Sequence, residues 1–328
     1  MHDFRLGDER LARARKLREA ARAELKAAAP DFLARFPLEP YIEELEHHGR
    51  PHRFYEFTPA ALDQNRQMHE AYPAPAVENY NRLLLAHLIA NSEHHSRNVI
   101  VPSIHCYIRE DFDRILKALE KARAGYYVRD NHLFRRDLAI ARLKVIPNGF
   151  EFYDLNACIA RKEVLKGGAA SLVRFAATFR ADLAKPLYPL YEPHWDRRYV
   201  KYFSPEEYER CCLRIADMIE ANPGVRGVAT PSWWYDPQLK EISPELWFVR
   251  EITEKGGARF MLLGGHNPYL LTDSLAHSPH RKAAYEAGRY TPRSYMIFWP
   301  RRELIAWAKH TRETKPDLES RGVPCSVA

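Results

Sequence analysis

From Glu9 to Pro37 the chain places Leu11, Leu17, Ala21, Leu25 and Ala28 roughly on one stripe, with Arg, Lys and Glu filling the other positions. Strong helix formers in that spacing predict a long amphipathic helix, first interrupted at Pro30. Its alternating charge suits a solvated face on the body of the protein. Prolines 40, 51, 59, 73 and 75 then break the chain around one helical stretch, Pro59 to Ala71. Asn79 to Ser92 carries Leu83, Leu84, Leu85, Leu88 and Ile89 with little polar face left, the pattern of a buried helix. Ser103 to Tyr107 reads as a short extended piece. Asp111 to Ala124 turns Phe112, Ile115, Leu116 and Leu119 inward as an amphipathic helix that Gly125 ends.

From about residue 138 the texture changes. Leu138 to Ile146 and Phe150 to Leu155 read as alternating runs, and Pro147-Asn148-Gly149 between them is a turn signal, which predicts a hairpin. A Gly-Gly pair at 167 and 168 precedes a helix over Ala169 to Phe179. Strands are expected over Leu187 to Tyr191, Val225 to Thr230, Ala258 to Leu263 and Tyr295 to Trp299. Ser204-Pro205-Glu206-Glu207 is an N-cap signature that opens a helix to Ala221. Ser243-Pro244-Glu245 opens another to Glu254, and Arg301 to His310 closes the series. The class is α+β: a mostly helical region over residues 1–130, then over 131–328 a mixed, largely antiparallel sheet with flanking helices.

Composition narrows the setting. In 328 residues, 46% are hydrophobic and 12% aromatic, enough for a sizeable core. The net charge of +7 is mild for this length, and no block of five like charges marks a nucleic-acid tail. Leu83 to Ala90 is too short to span a bilayer, and the first thirty residues lack a signal-peptide core, so the expected compartment is the cytoplasm. The five cysteines, Cys106, Cys158, Cys211, Cys212 and Cys325, are odd in number and form no C-x-x-C, so all are expected to be thiols.

Candidate chemistry collects after the expected strands. His194-Trp195-Asp196 puts an imidazole and a carboxylate at i and i+2, on one side of an extended segment. They could share an iron with His266 or His277 as third ligand, or Asp196 could simply bond nearby arginines. The second is favoured, and no metal is expected. Ser232-Trp233-Trp234-Tyr235-Asp236 follows a strand, and three consecutive aromatics cannot all enter one core from an extended segment. Trp233, Trp234, Tyr235 and Asp236 are therefore expected to line a cleft. Gly264-Gly265 lacks the rest of a phosphate-loop pattern and reads as a turn. The segment from Arg281 to Arg293 mixes four arginines and Lys282 with Tyr285 and Tyr290, which suits carboxylate or phosphate capture or a solvated helix ending at Gly288. The adjacent pairs His47-His48 and His94-His95 point about 100° apart on a helix, so neither pair chelates a metal by itself.

From Leu138 onward this order of elements resembles the GNAT-like acyltransferase fold: a hairpin, a further strand, a helix, a strand, a helix and two closing strands. The resemblance implies acyl or aminoacyl transfer to an amine of a small molecule or peptide, from acyl-CoA or another activated donor. In such enzymes a carboxylate or histidine near the fourth strand takes the amine's proton, which points to Glu192 and His194, with Asp196 beside them. A tyrosine often protonates the leaving group, which points to Tyr235 and Tyr285. Trp233, Trp234, Asp236 and Arg293 would hold the substrate. The family's glycine-bearing pyrophosphate loop, Q/R-x-x-G-x-G/A, is missing between the strand and the next helix. Arg197, Arg198 and Lys201, or the helix start at Ser204, would have to supply the anion contacts instead. Nucleic acid is not expected as a partner, apart from a tRNA carrying the activated group. Two other readings stay open: a mononuclear non-haem iron oxygenase built on the H-x-D motif, and a non-catalytic small-molecule or peptide-binding protein.

Overall fold

The structure is a computed structural model that describes residues 4–45, 56–92, 98–122, 124–159, 164, 168–179, 188–263 and 268–318. Helices α1 (Asp8–Ala28), α2 (Phe32–Arg35), α3 (Leu38–Glu44), α4 (Pro59–Ala71), α5 (Ala74–Ala90), α6 (Pro102–Lys121) and α7 (His132–Ala141) come first. Then follow β1 (Val145–Asn148), β2 (Glu151–Ala157), α8 (Gly168–Phe179), β3 (Leu190–Trp195), α9 (Pro205–Ala221), β4 (Gly227–Ser232) and α10 (Leu239–Ile242). The last elements are α11 (Trp247–Lys255), β5 (Arg259–Leu262), α12 (Pro268–Leu275), α13 (Pro279–Glu286), β6 (Tyr295–Pro300) and α14 (Arg301–Thr314). The class is α+β. Among the described residues one mixed sheet has the order β1-β2-β3-β4-β6-β5. No described helix is long and apolar enough to cross a membrane.

Two compact units divide the chain. One holds the described residues up to Asn148 together with Phe152–Asn156, and the other holds Gly149–Glu151 and the described residues from Ala157 on. In the first unit, α5 is buried nearly all round, as its leucine run predicts. Leu11, Ala14, Ala21 and Leu25 of α1 are buried as well. The polar side of α1 is not wholly solvated: Arg10 grips Asp113 of α6 at 2.6 and 2.8 Å, and Arg13 grips Glu120 at 2.6 and 2.7 Å.

Three expectations fail in this unit. Ser103 to Tyr107 is not extended but belongs to α6, which starts at Pro102. Leu138 to Ile146 is not a strand: Leu138 to Ala141 finish α7, and β1 begins only at Val145. The reason is a cap overlooked in the sequence. Asn131 accepts from the Leu133 and Phe134 N–H groups at 2.9 and 3.4 Å and starts a helix. Ala139 and Ala141 are buried alongside Leu138 and Ile140, so the run has no polar side. Leu143 (φ 52°) takes the left-handed conformation that releases the chain into β1. The third failure concerns Cys106, which is disulfide-bonded to a partner outside the described residues. Counting and spacing cannot show which distant cysteines the fold brings together. Cys158, Cys211 and Cys212 are free thiols.

In the second unit, β4 runs parallel to β3 and antiparallel to β6, and β5 runs antiparallel to β6. One face of these strands buries Leu190, Ala229, Met261, Met296 and Phe298 against Phe179 of α8. On the other face Trp299 donates to Gly256 O at 2.7 Å, and Tyr235 meets Phe260 with ring centroids 5.8 Å apart. Arg301, at the start of α14, caps the end of α9 by donating to the Ile219, Glu220 and Asn222 carbonyls.

Candidate functional site

The strand before the H-x-D motif runs later than expected. It covers Leu190–Trp195, so His194 and Trp195 are strand residues and not part of a following loop. β3 pairs with β4 at its start, with Tyr191 opposite Val228 and the Arg226 N–H donating to Pro189 O at 3.0 Å. Among the described residues that pairing stops there, although β3 runs on to Trp195 and β4 to Ser232. β4 meanwhile stays in register with β6 through all six of its residues. The carboxyl ends of parallel strands are where α/β sheets bind ligands.

Alternation sorts the β3 side chains. Leu190 faces α8, so Glu192 and His194 share the α8 side of the sheet. Glu192 is buried and His194 half-buried. Trp195 projects to the other side and stacks on Trp234, with centroids 4.3 Å apart and planes at 14°. It also stacks on Phe150 at 5.3 Å, and Phe203 stands edge-on to both indoles at 5.2 and 5.1 Å. The two motifs singled out in the sequence therefore meet through their tryptophans.

Asp196 serves the backbone. Its carboxylate takes Arg198 Nε at 2.9 Å on both oxygens and the Arg198 N–H at 3.0 Å, while its own N–H donates to Phe150 O at 2.8 Å. Arg198 thus clamps the turn that leaves β3. Arg197 and Lys201 lie with it in a short 3₁₀ helix, Arg197–Tyr202, but their side chains fall outside what is described. Ser204 caps α9 as its sequence signature predicts, accepting from Glu207 N at 3.2 Å. Hydrogen bonds from the Glu206 N–H and the Ser204 hydroxyl hold the Glu206 carboxyl below the usual carboxylate range. An anion at this helix start would lie beside that carboxylate.

The W-W-Y-D segment splits its side chains between interior and rim. Tyr235 is buried, and burial beside Glu151 pushes its phenol far above the ordinary tyrosine range. Asp236 is wholly buried. Its oxygens accept from Gln238 N at 3.0 Å and Arg293 N at 2.9 Å, and burial raises its pKa. It is therefore the backbone of Arg293, not its guanidinium, that docks on Asp236. Trp233 and Trp234 are half-buried, 5.2 Å apart, and the Arg281 guanidinium lies 5.0 Å over Trp233. Tyr285 is exposed on α13, whereas Tyr290 is buried.

Behind the turn at Gly149 (φ 82°) lies a buried polar knot. Glu207 takes Arg214 at 2.9 Å and Arg210 at 2.7 Å, and the Cys211 thiol sits 3.2 Å from Arg214. Burial pushes that thiol well up, so it is not a ready nucleophile. Among the described residues no three His, Cys, Asp or Glu side chains gather as a metal-binding group. His266, with Gly264-Gly265, and both histidine pairs, His47-His48 and His94-His95, lie outside the described residues. In the first unit a separate cleft of about 730 Å³ is lined by Asp63, Asn65, Arg66, His69 and Arg129 among others.

Trp195, Phe150 and Phe203 join through tertiary contact, and Trp195 stands on a strand that runs four residues beyond the expected end at Tyr191. Comparison with known proteins adds nothing further: the chain matches no family model, no curated protein and no solved structure.

Proposed function

We propose that the second unit transfers an acyl or aminoacyl group to an amine, with Glu192 as the base. The observation that carries this reading is the parallel pairing of β3 with β4, matched at Tyr191 and Val228, with Glu192 and His194 on β3 just beyond that match. The order β1, β2, β3, α9, β4, α11, β5, β6 is also the order of the GNAT-like acyltransferase fold. In the proposed step the Glu192 carboxylate takes a proton from the substrate ammonium. The freed lone pair attacks the donor's carbonyl carbon, a C–N bond forms, and the bond to the leaving thiolate or alkoxide breaks. The second proton on nitrogen passes to the leaving group, a relay we assign to His194. The donor is a thioester such as acyl-CoA, or an aminoacyl ester.

One observation favours a second reading, a non-catalytic small-molecule or peptide-binding protein. Asp196, Tyr235 and Asp236, three of the residues the transfer reading draws on, are engaged in holding the chain. The iron-oxygenase alternative has no such support, because Arg198 already occupies the Asp196 carboxylate. Incubation with acetyl-CoA or aminoacyl-tRNA and a panel of primary amines, read by mass spectrometry, separates the two. Transfer that falls about a hundredfold or more in Glu192→Gln supports the enzyme. Binding without turnover supports the second reading, and turnover unchanged in Glu192→Gln removes Glu192 from the mechanism.

A further inference from the structure

Arg281 is an arginine whose charge the fold buries without a carboxylate in contact. Only 6% of it is exposed. Its backbone is fixed in the first turn of α13, where the Ser278 hydroxyl accepts from Arg281 N at 3.2 Å. Its side chain is fixed as well: Nε donates to Ser274 O at 2.7 Å, Nη1 to Ser243 Oγ at 3.0 Å, and the guanidinium lies over the Trp233 ring. The carboxylate recorded near it, Glu245, stays 4.0 Å from Nη1 and is 65% exposed. Among the described residues nothing accepts from Nη2, and Nη2 is not sealed from solvent. Nearby, the Tyr290 hydroxyl is buried with no hydrogen-bond partner, within electrostatic range of this guanidinium.

A guanidinium stays protonated in proteins, and removing such a charge from water costs several kcal/mol unless a counter-charge completes it. Tying α13 to Ser243 and Ser274 needs only Nε and Nη1, and that role leaves the charge and the free edge unexplained. We infer that Arg281, held flat against Trp233, is a receptor for a ligand oxyanion, a carboxylate or a phosphate. One ligand oxygen would sit about 2.8 Å from Nη2 in a charge-assisted hydrogen bond. The inference stands without the group-transfer reading, since a binding protein would use the same receptor.

The test is a titration of the full chain with sodium phosphate and, separately, with sodium acetate, at ionic strength held constant with chloride so that general screening cancels. Tryptophan fluorescence, to which Trp233 contributes, and melting temperature are read together. The expected result is a saturable response to one anion, with affinity about tenfold weaker in Arg281→Lys, which keeps the charge but loses the planar fork. A response to phosphate assigns a phosphoryl ligand, and a response to acetate assigns a carboxylate. If Arg281→Lys does not fold, Ser243→Ala takes its place. That variant removes only the Nη1 anchor and is expected to weaken the response about threefold. No saturable response to either anion, or equal responses in wild type and variant, overturns the inference.

Discussion

The meeting of the two motifs can be tested by a double-mutant cycle on Trp195 and Trp234. The rings stack at 4.3 Å with planes 14° apart, and Phe203 touches the edge of each. A buried tryptophan cut to alanine costs about 3–5 kcal/mol, and these half-buried rings should cost about 2–3 each. Of that, about 0.5–1.5 kcal/mol belongs to the ring–ring contact itself, beyond the area buried. Each single substitution already abolishes that contact. The double variant should therefore be about 1 kcal/mol more stable than the sum of the single losses. Trp234→Phe, which keeps a ring on Trp195, should recover about half of the Trp234→Ala loss. Urea denaturation followed by far-ultraviolet circular dichroism reads each variant without relying on the deleted fluorophores, and equal m-values license the comparison. Losses that add to within about 0.3 kcal/mol would show that the rings do not touch, and the β3 and β4 segments would no longer define one site.

Two further outcomes follow from close packing and from burial. At Gly227 (φ 147°), an added Cβ would lie 2.2 Å from Trp299 O and 3.1 Å from Arg301 N, both backbone. Gly227→Ala should cost more than about 3 kcal/mol and sharply reduce soluble yield, and a melt like that of the wild type would contradict the β4–β6 register. Burial raises the Asp236 pKa in the folded state, so folding takes up protons and stability falls as pH rises from about 3.9 through the folded value. Asp236→Asn should flatten that slope above about pH 4, and melting curves that keep the wild-type slope would refute the assignment.

Much of the helical framework could be read from local chemistry. Thr58-Pro59 starts α4 and Ser204-Pro205 starts α9, because a hydroxyl at the N-cap followed by proline satisfies and pre-orders the first turn by itself. The leucine run of α5 announced its burial, since no polar side remained to face water. The expected β4, β5 and β6 also fall within two residues of the observed strands, and alternation was the signal used only for the hairpin. It failed at Leu138, where alternation and an alanine-rich helix turn look alike and the deciding Asn131 cap lies seven residues upstream.

The candidate site was legible as residue types but not as roles. His194, Asp196, Trp233, Trp234 and Asp236 stood out because imidazole, carboxylate and indole are scarce and useful after strands. Whether a carboxylate is open to a ligand or consumed by its neighbours depends on partners set by tertiary contact. Arg198 takes Asp196, and the Gln238 and Arg293 backbone N–H groups take Asp236. Arg281 carried no signal beyond its charge, because its burial and its free edge arise from Ser243, Ser274 and Trp233 folding around it. The sequence by itself determined where helices begin, which runs must be buried and that the chain is α+β, since capping, periodicity and apolar content act over a few residues. Only the tertiary structure decided how the strands pair, which tryptophans stack and which side chains surround Arg281, because those depend on groups brought together from far along the chain.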